Sequence, residues 1–335
     1  MKDYIQNFPN QIKKACEIAE KIDLGDKFND INNIVISGQG GSGIGGIIAK
    51  NLLQPYCSIP IIINQDYKIP AFVNEKTLFI SSSYSGNTEE TLVALEKALN
   101  KNSQIVCITS SGKLLDQARS HNLSHIILPS GFAPRVMLSF SVIQILCVIK
   151  MVLDNKQSLN EVLIELNQIQ EKITSFQEIM IAMAKEIVLK MDNKMPFIYT
   201  FPEFEGLALR FKQQLNENSK RHAVYNLIPE MNHNEIVAWN KKNLCSIPIF
   251  INLNETSQQN KKRIQINKSQ ISKYVEEVIE LNSDMIKFNS TSNLFEYFYF
   301  IHIIDWISFF LAERDGVDPN TIEPIDFLKN ELKKV

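Results

Sequence analysis

Short apolar runs alternate with amphipathic stretches along most of the chain. Runs at residues 34–37, 59–63, 77–80, 104–109 and 125–128 are short, β-branched and bounded by polar residues, the signature of buried strands. Between them, residues 47–53, 92–99 and 113–120 carry apolar positions at helical spacing, and an apolar helix is predicted over 136–153. Strand and helix in alternation predict an α/β unit: a parallel sheet with helices on both faces. An amphipathic helix is predicted ahead of it, over residues 4–21. Residues 158–191 read as helical, including a long connector, and a second alternation follows. It has strands at 197–200, 224–227, 245–251 and 275–281, helices at 204–221 and 259–267, an apolar helix over 294–312 and a terminal helix over 322–332. The expected domains are 1–153 and 154–335, similar in architecture without sequence repetition.

At 335 residues the chain is long for one core and suits two domains. A net charge of −2, with no basic stripe interleaved with aromatics, gives no electrostatic case for nucleic acid. Residues 1–22 carry charges throughout and lack the apolar core of a secretory signal. Cys16, Cys57, Cys107, Cys147 and Cys245 are scattered, odd in number and without paired spacing, as expected of reduced thiols in a cytoplasmic protein, and no metal site is apparent. The 294–312 segment contains Glu296, His302 and Asp305, and its apolar runs fall short of the ~20 residues of a membrane span. It is expected to be a buried helix, with His302 a core histidine and no membrane partner.

Two loops carry candidate chemistry. Gly38, Gly40, Gly41, Gly43, Gly45 and Gly46 are half of the chain's 12 glycines, and the loop they define follows a strand. Gly38, Gly40 and Gly43 satisfy G-x-G-x-x-G, and Asp66 stands near the distance a dinucleotide's ribose partner would occupy. The match is loose, because the pattern arises wherever glycines cluster; Ser42 adds a hydroxyl that a sugar or phosphate could use. The second loop is Ser81-Ser82-Ser83-Tyr84-Ser85-Gly86-Asn87-Thr88, leading through Glu89-Glu90-Thr91 into a helix. Hydroxyls and backbone N–H groups at a helix start suit a phosphate monoester, sulfate or carboxylate. The loop has no Lys and is not a nucleotide-triphosphate loop; the plainer alternative is a Ser/Thr turn capped by Asn87 or Thr88. Both loops follow strands and so belong to the carboxyl edge of the sheet, where ligands bind. Arg135 stands at a strand-to-helix junction on that edge, either to meet an oxyanion or as a surface arginine. Further on, Leu207, Phe211 and Leu215 form a core-facing stripe, and Glu217 lies off it between Asn216 and Asn218, a general base or a solvated glutamate. His233 sits in a polar turn and offers a proton shuttle or an incidental turn histidine.

The chain resembles the bifunctional phosphoglucose/phosphomannose isomerases, a branch of the sugar isomerase (SIS) domain proteins. The resemblance rests on Gly40-Gly41-Ser42-Gly43, the stretch from Ser83 to Thr91, Pro134-Arg135, Asn216-Glu217-Asn218, Asn232-His233-Asn234-Glu235, and Gly316-Val317-Asp318-Pro319 leading to Leu328-Lys329. Many SIS proteins share the serine loop, regulators without activity among them; the Glu, His and terminal Lys motifs narrow the match. Gln39 stands where a Met is common, and the connector helices are longer than in compact members. The resemblance implies an α/β fold of two SIS domains, each a parallel sheet flanked by helices (a doubly wound, flavodoxin-like three-layer sandwich). It implies a homodimer with active sites at the subunit interface. It also implies interconversion of glucose 6-phosphate and mannose 6-phosphate with fructose 6-phosphate, without metal or cofactor. By position, Ser83, Ser85 and Thr88 would bind the phosphate, and Gly40, Gly41 and Ser42 would line the sugar. Glu217 would move a proton between C1 and C2, Arg135 would stabilise the enediolate, and His233 from the partner subunit would open the ring, with Lys329. Two other readings stand beside it: a non-catalytic SIS module that senses a sugar phosphate, and a nicotinamide-dependent oxidoreductase built on Gly38, Gly40 and Gly43, which leaves the serine loop unexplained.

Overall fold

The apolar runs pair into two separate sheets, each parallel throughout. The structure is a computed structural model and describes residues 1–25, 27–153, 156–253, 257–286, 292–332 and 334. It divides into two compact units, residues 7–175 and residues 176–335 together with 1–6.

In the first unit the strands are β1 (Asn33–Ser37), β2 (Ile61–Asn64), β3 (Thr77–Ser82), β4 (Gln104–Thr109) and β5 (Ser124–Ile127), in the order β2-β1-β3-β4-β5. The order reverses between β1 and β3, which pair with Val35 opposite Phe79. Side chains alternate across the sheet. Val35, Phe79, Ile105 and Cys107 face one way and pack on Ala94, Leu95 and Ala98 of α4 (Glu89–Leu99) and on Leu114 and Ala118 of α5 (Gly112–Ser120). Ile36 faces the other way, against α3 (Gly40–Leu53), which packs on α6 (Leu138–Leu153), and α6 packs in turn on α2 (Phe8–Ala19).

Two expectations are corrected here. The glycine stretch is not a loop ahead of a helix from residue 47: α3 begins at Gly40, and the glycines form its first turns. Glycine is a poor helix former, but packing overrides propensity. A Cβ on Gly45 would lie 2.3 Å from the Ser141 Oγ, and one on Gly46 2.8 Å from the Ile36 Cγ2. The helix expected over 4–21 is broken at Asn7 into α1 (Lys2–Gln6) and α2, whose start holds Pro9, a residue suited to a first turn because it has no N–H to leave unpaired. The two pieces belong to different units.

The second unit has β6 (Met195–Thr200), β7 (Val224–Leu227), β8 (Ser246–Asn252) and β9 (Ile279–Asn282), in the order β7-β6-β8-β9. The last expected strand is shorter than 275–281 and starts only at Ile279, after a turn. The long helix α7 (Lys156–Lys190) enters this unit, where α8 (Glu205–Glu217) packs on α10 (Asn293–Asp315). Helix α10 is long and apolar enough to cross a membrane, yet 94% of its most apolar window is buried inside the protein. His302 is a core histidine: its Nε2 accepts the Trp306 indole N–H at 3.2 Å, and burial pulls its pKa down to about 3. Buried Arg210 of α8 forks onto Asp305 of α10, at 3.2 Å from Nε to Oδ1 and 2.9 Å from Nη2 to Oδ2, and Gln214 adds a third donor at 2.7 Å. After α10 ends at Gly316 (φ 66°), α9 (Gln258–Ile271) having preceded it, the chain finishes in α11 (Glu323–Leu332), which buries none of its residues.

Candidate active site

In the first unit three segments meet at the carboxyl edge of the sheet. The turns after β1 and β3 flank the point where strand order reverses, the usual ligand crevice of such sheets. They touch: a Cβ on Gly38 would fall 2.8 Å from the Ser82 carbonyl oxygen, and the Ser42 hydroxyl accepts the Tyr84 N–H at 3.2 Å. The third segment is the short 3-10 turn Pro134–Val136, whose Pro134 carbonyl oxygen would lie 2.8 Å from a Cβ on Gly41. Arg135 is only 4% exposed, so the surface-arginine alternative is set aside. The close approaches at Gly38, Gly41, Gly43 and Gly45 account for the glycine pattern within the chain itself. Asp66 closes the turn after β2, accepting the Lys68 N–H at 3.4 Å.

The serine loop is held from below and open above. The Tyr84 hydroxyl donates to the Pro129 carbonyl at 2.8 Å and accepts the Phe132 N–H at 3.1 Å, which ties the loop to the segment leading to Arg135. Asn87 donates to the Ser85 carbonyl at 3.1 Å and accepts the Lys113 N–H at 3.2 Å. Gly86 has φ 68°, and a Cβ there would fall 1.7 Å from the Ser111 carbonyl oxygen, so the tight turn requires glycine. Thr88 is the N-cap of α4 but makes no capping bond with its side chain; its hydroxyl pairs with that of buried Ser83 at 2.9 Å. Ser85 is exposed and Thr88 half-buried. The first N–H groups of α4 thus lie beside two accessible hydroxyls, an arrangement that suits an anion.

In the second unit Glu217 is the half-buried last residue of α8. The flanking amides hold the helix end: Asn216 donates to the Arg221 carbonyl at 2.8 Å, and buried Asn218 to the Ser308 hydroxyl at 2.9 Å. Lys220 donates to the Glu217 carbonyl at 2.5 Å and to that of Thr321 at 2.8 Å. His233 is exposed at the end of the 3-10 turn Glu230–His233, and Lys329 is exposed on α11. The structure therefore gathers Gly40, Gly41, Ser42, Ser83, Ser85, Thr88 and Arg135 at one edge of the first unit, and sets Glu217, His233 and Lys329 on three elements of the second. Sequence reasoning assigned no role to Tyr84 or to Tyr199. Tyr84 had a signal, as the one aromatic among hydroxyls in its loop. The buried Tyr199 hydroxyl donates to Glu235 at 2.5 Å, and burial first, then the Glu235 carboxylate, push its pKa well up, so it stays a donor. Among the described residues no group of three His, Cys, Asp or Glu side chains is arranged to hold a metal ion.

Comparison with known proteins gives this arrangement a family. Residues 27–152 match the SIS domain, and residues 181–332 match the bacterial phospho-glucose isomerase C-terminal SIS domain. A bifunctional phosphoglucose/phosphomannose isomerase of Caldicellulosiruptor bescii is 36% identical, over 100% of this chain and 99% of that protein. One of Aquifex aeolicus is 32% identical, over 93% of this chain and 94% of its own length. In fold, the chain is similar to the C-terminal domain of glucosamine-fructose-6-phosphate aminotransferase from Francisella tularensis, with a TM-score of 0.75 at 18% identity over 95% of this chain and 96% of that one. With two SIS domains in tandem and identity of this size from end to end, the chain belongs to the family of bifunctional phosphoglucose/phosphomannose isomerases.

Proposed function

We propose that this chain interconverts glucose 6-phosphate and mannose 6-phosphate with fructose 6-phosphate through a cis-enediolate. The observation that carries the reading is the meeting of the serine loop, the start of α3 and buried Arg135 on one sheet edge in a chain of this family. Ser85, Thr88 and the start of α4 take the phosphate, with Ser83 holding Thr88 in place. Gly40, Gly41 and Ser42 line the sugar. Glu217 removes the proton from C2 of the open aldose. The C2–H electron pair becomes the C1–C2 double bond, and the C1 oxygen takes up negative charge, which the guanidinium of Arg135 stabilises. Protonated Glu217 returns its proton to C1, and transfer of the O2 proton to the C1 oxygen as the C2 carbonyl forms gives the ketose. Glucose and mannose 6-phosphate differ only at C2 and share this intermediate. His233 assists ring opening by proton transfer at O1 and O5, with Lys329 beside it. Its exposure within one chain fits service to a second copy, and so a homodimer. Three free, buried cysteines fit a reducing compartment such as the cytoplasm.

Changing Ser85→Ala together with Thr88→Ala tests the phosphate site. Two hydrogen bonds to a charged group, at about 1.5 kcal/mol each, predict a KM for fructose 6-phosphate raised about 10²-fold, with kcat changed much less. An unchanged KM would remove the phosphate from this loop.

A further inference from the structure

The motif Asn232-His233-Asn234-Glu235 divides its labour. Three of its members turn their polar groups onto the protein. The Asn232 amide donates to Asn267 of α9 at 2.7 Å. The Asn234 side chain accepts the Glu235 N–H at 2.6 Å and donates to Glu230 at 2.8 Å. The Glu235 carboxylate reaches the sheet, where its two oxygens take the Tyr199 hydroxyl at 2.5 Å and the Asn226 amide at 2.7 Å. Tyr199 and Asn226 are register partners on the neighbouring parallel strands β6 and β7, so their two donors stand side by side and match a carboxylate's two oxygens. The far end of the turn is pinned to the same tyrosine, since the Trp239 indole donates to the Tyr199 oxygen at 3.0 Å. His233 is exposed, and none of these hydrogen bonds uses its ring.

We propose that Glu235 is a positioning residue, whose two-point attachment to Tyr199 and Asn226 fixes the turn so that the His233 imidazole is presented outward in one orientation. The inference rests on the reading of His233 as the group that opens the sugar ring. It concerns neither phosphate binding nor the Glu217 proton transfer. An amide in place of the carboxylate can accept only one of the two bonds and sets its own N–H against a donor. A phenylalanine at 199 keeps the ring packed and removes one donor to Glu235 and the acceptor of Trp239.

The test is a double-mutant cycle in the purified full chain, assayed with fructose 6-phosphate. Glu235→Gln and Tyr199→Phe are each made alone and in combination with His233→Ala. A misplaced proton-transfer group typically costs about 10–10²-fold, so each single variant is expected to lower kcat by that factor while KM stays within about 2-fold. In the His233→Ala background the same changes should cost nothing further, because they act only through the imidazole. Equal losses in both backgrounds, or wild-type turnover in both single variants, would overturn the inference. Full turnover in His233→Ala itself would overturn the reading of His233 and leave the rest of the reaction scheme standing. Tyr199→Phe guards against a folding defect in Glu235→Gln, with melting temperature and tryptophan fluorescence recorded for each.

Discussion

Glu217→Gln is expected to lower kcat with fructose 6-phosphate by about 10³- to 10⁴-fold, the upper part of the range for removal of a general base. The amide is the same size and still accepts a hydrogen bond, but it cannot take a proton from carbon. Binding should survive, because the proposed phosphate site is Ser85, Thr88 and the start of α4, none of which the change touches. The helix end should also survive. Its anchors include Asn216 on the Arg221 carbonyl, Asn218 on Ser308 and Lys220 on the Glu217 carbonyl, all of which the change leaves in place. Calorimetric titration with fructose 6-phosphate should give a Kd within a few-fold of wild type, and exchange of the C1 and C2 hydrogens with deuterated solvent should stop. Retained turnover or retained exchange would mean that another group is the base.

Asp305→Ala is expected to destabilise the second unit by about 3–5 kcal/mol, the usual cost of removing one partner of a buried ion pair. Arg210 is 1% exposed and Asp305 6%, so truncation would take two charge-assisted hydrogen bonds from a buried guanidinium that cannot lose its charge. Gln214 would lose its acceptor in the same step. Burial pushes the Asp305 carboxyl pKa up while Arg210 and Gln214 pull it back, which is the balance of a pair whose Coulomb attraction is largely spent on desolvation. Replacing both partners by apolar residues of similar volume should therefore cost much less than the single change. Urea unfolding followed by tryptophan fluorescence reads the correct unit, since Trp239 and Trp306, the chain's 2 tryptophans, both lie in it. A loss below about 1 kcal/mol for Asp305→Ala would show that the pair is not buried in solution.

The alternation of strands and helices was legible because the inner strands β1, β3, β4 and β8 are short apolar runs buried along nearly their whole length. The order of the strands was not, since nothing in an apolar run says which neighbour it pairs with. The glycine stretch misled for a physical reason. Propensity favours a loop there, and only the side chains that press against it from elsewhere, Ile36 and Ser141 among them, make those glycines helical. Residue 7 broke a helix that periodicity carried through, because Pro9 suits a start better than an interior. At the site, the serine loop was readable from its hydroxyls and its place after a strand. The burial of Arg135 was not, because it depends on the approach of Gly41 and of the loop that Tyr84 ties down. The work of the amides beside Glu217 was not legible either: Asn216 donates to the Arg221 carbonyl and Asn218 to Ser308, contacts that only the folded helix end creates. His302 was legible, since a lone histidine on an otherwise apolar helix is usually a satisfied core group.

The most direct measurement is a coupled assay of the purified, metal-free protein with fructose 6-phosphate, detecting glucose 6-phosphate and mannose 6-phosphate separately. Formation of both products is the expected result, because the two aldoses come from one enediolate. Tight binding of fructose 6-phosphate with neither product formed would contradict it, and would make the chain a sugar-phosphate sensor in place of an isomerase.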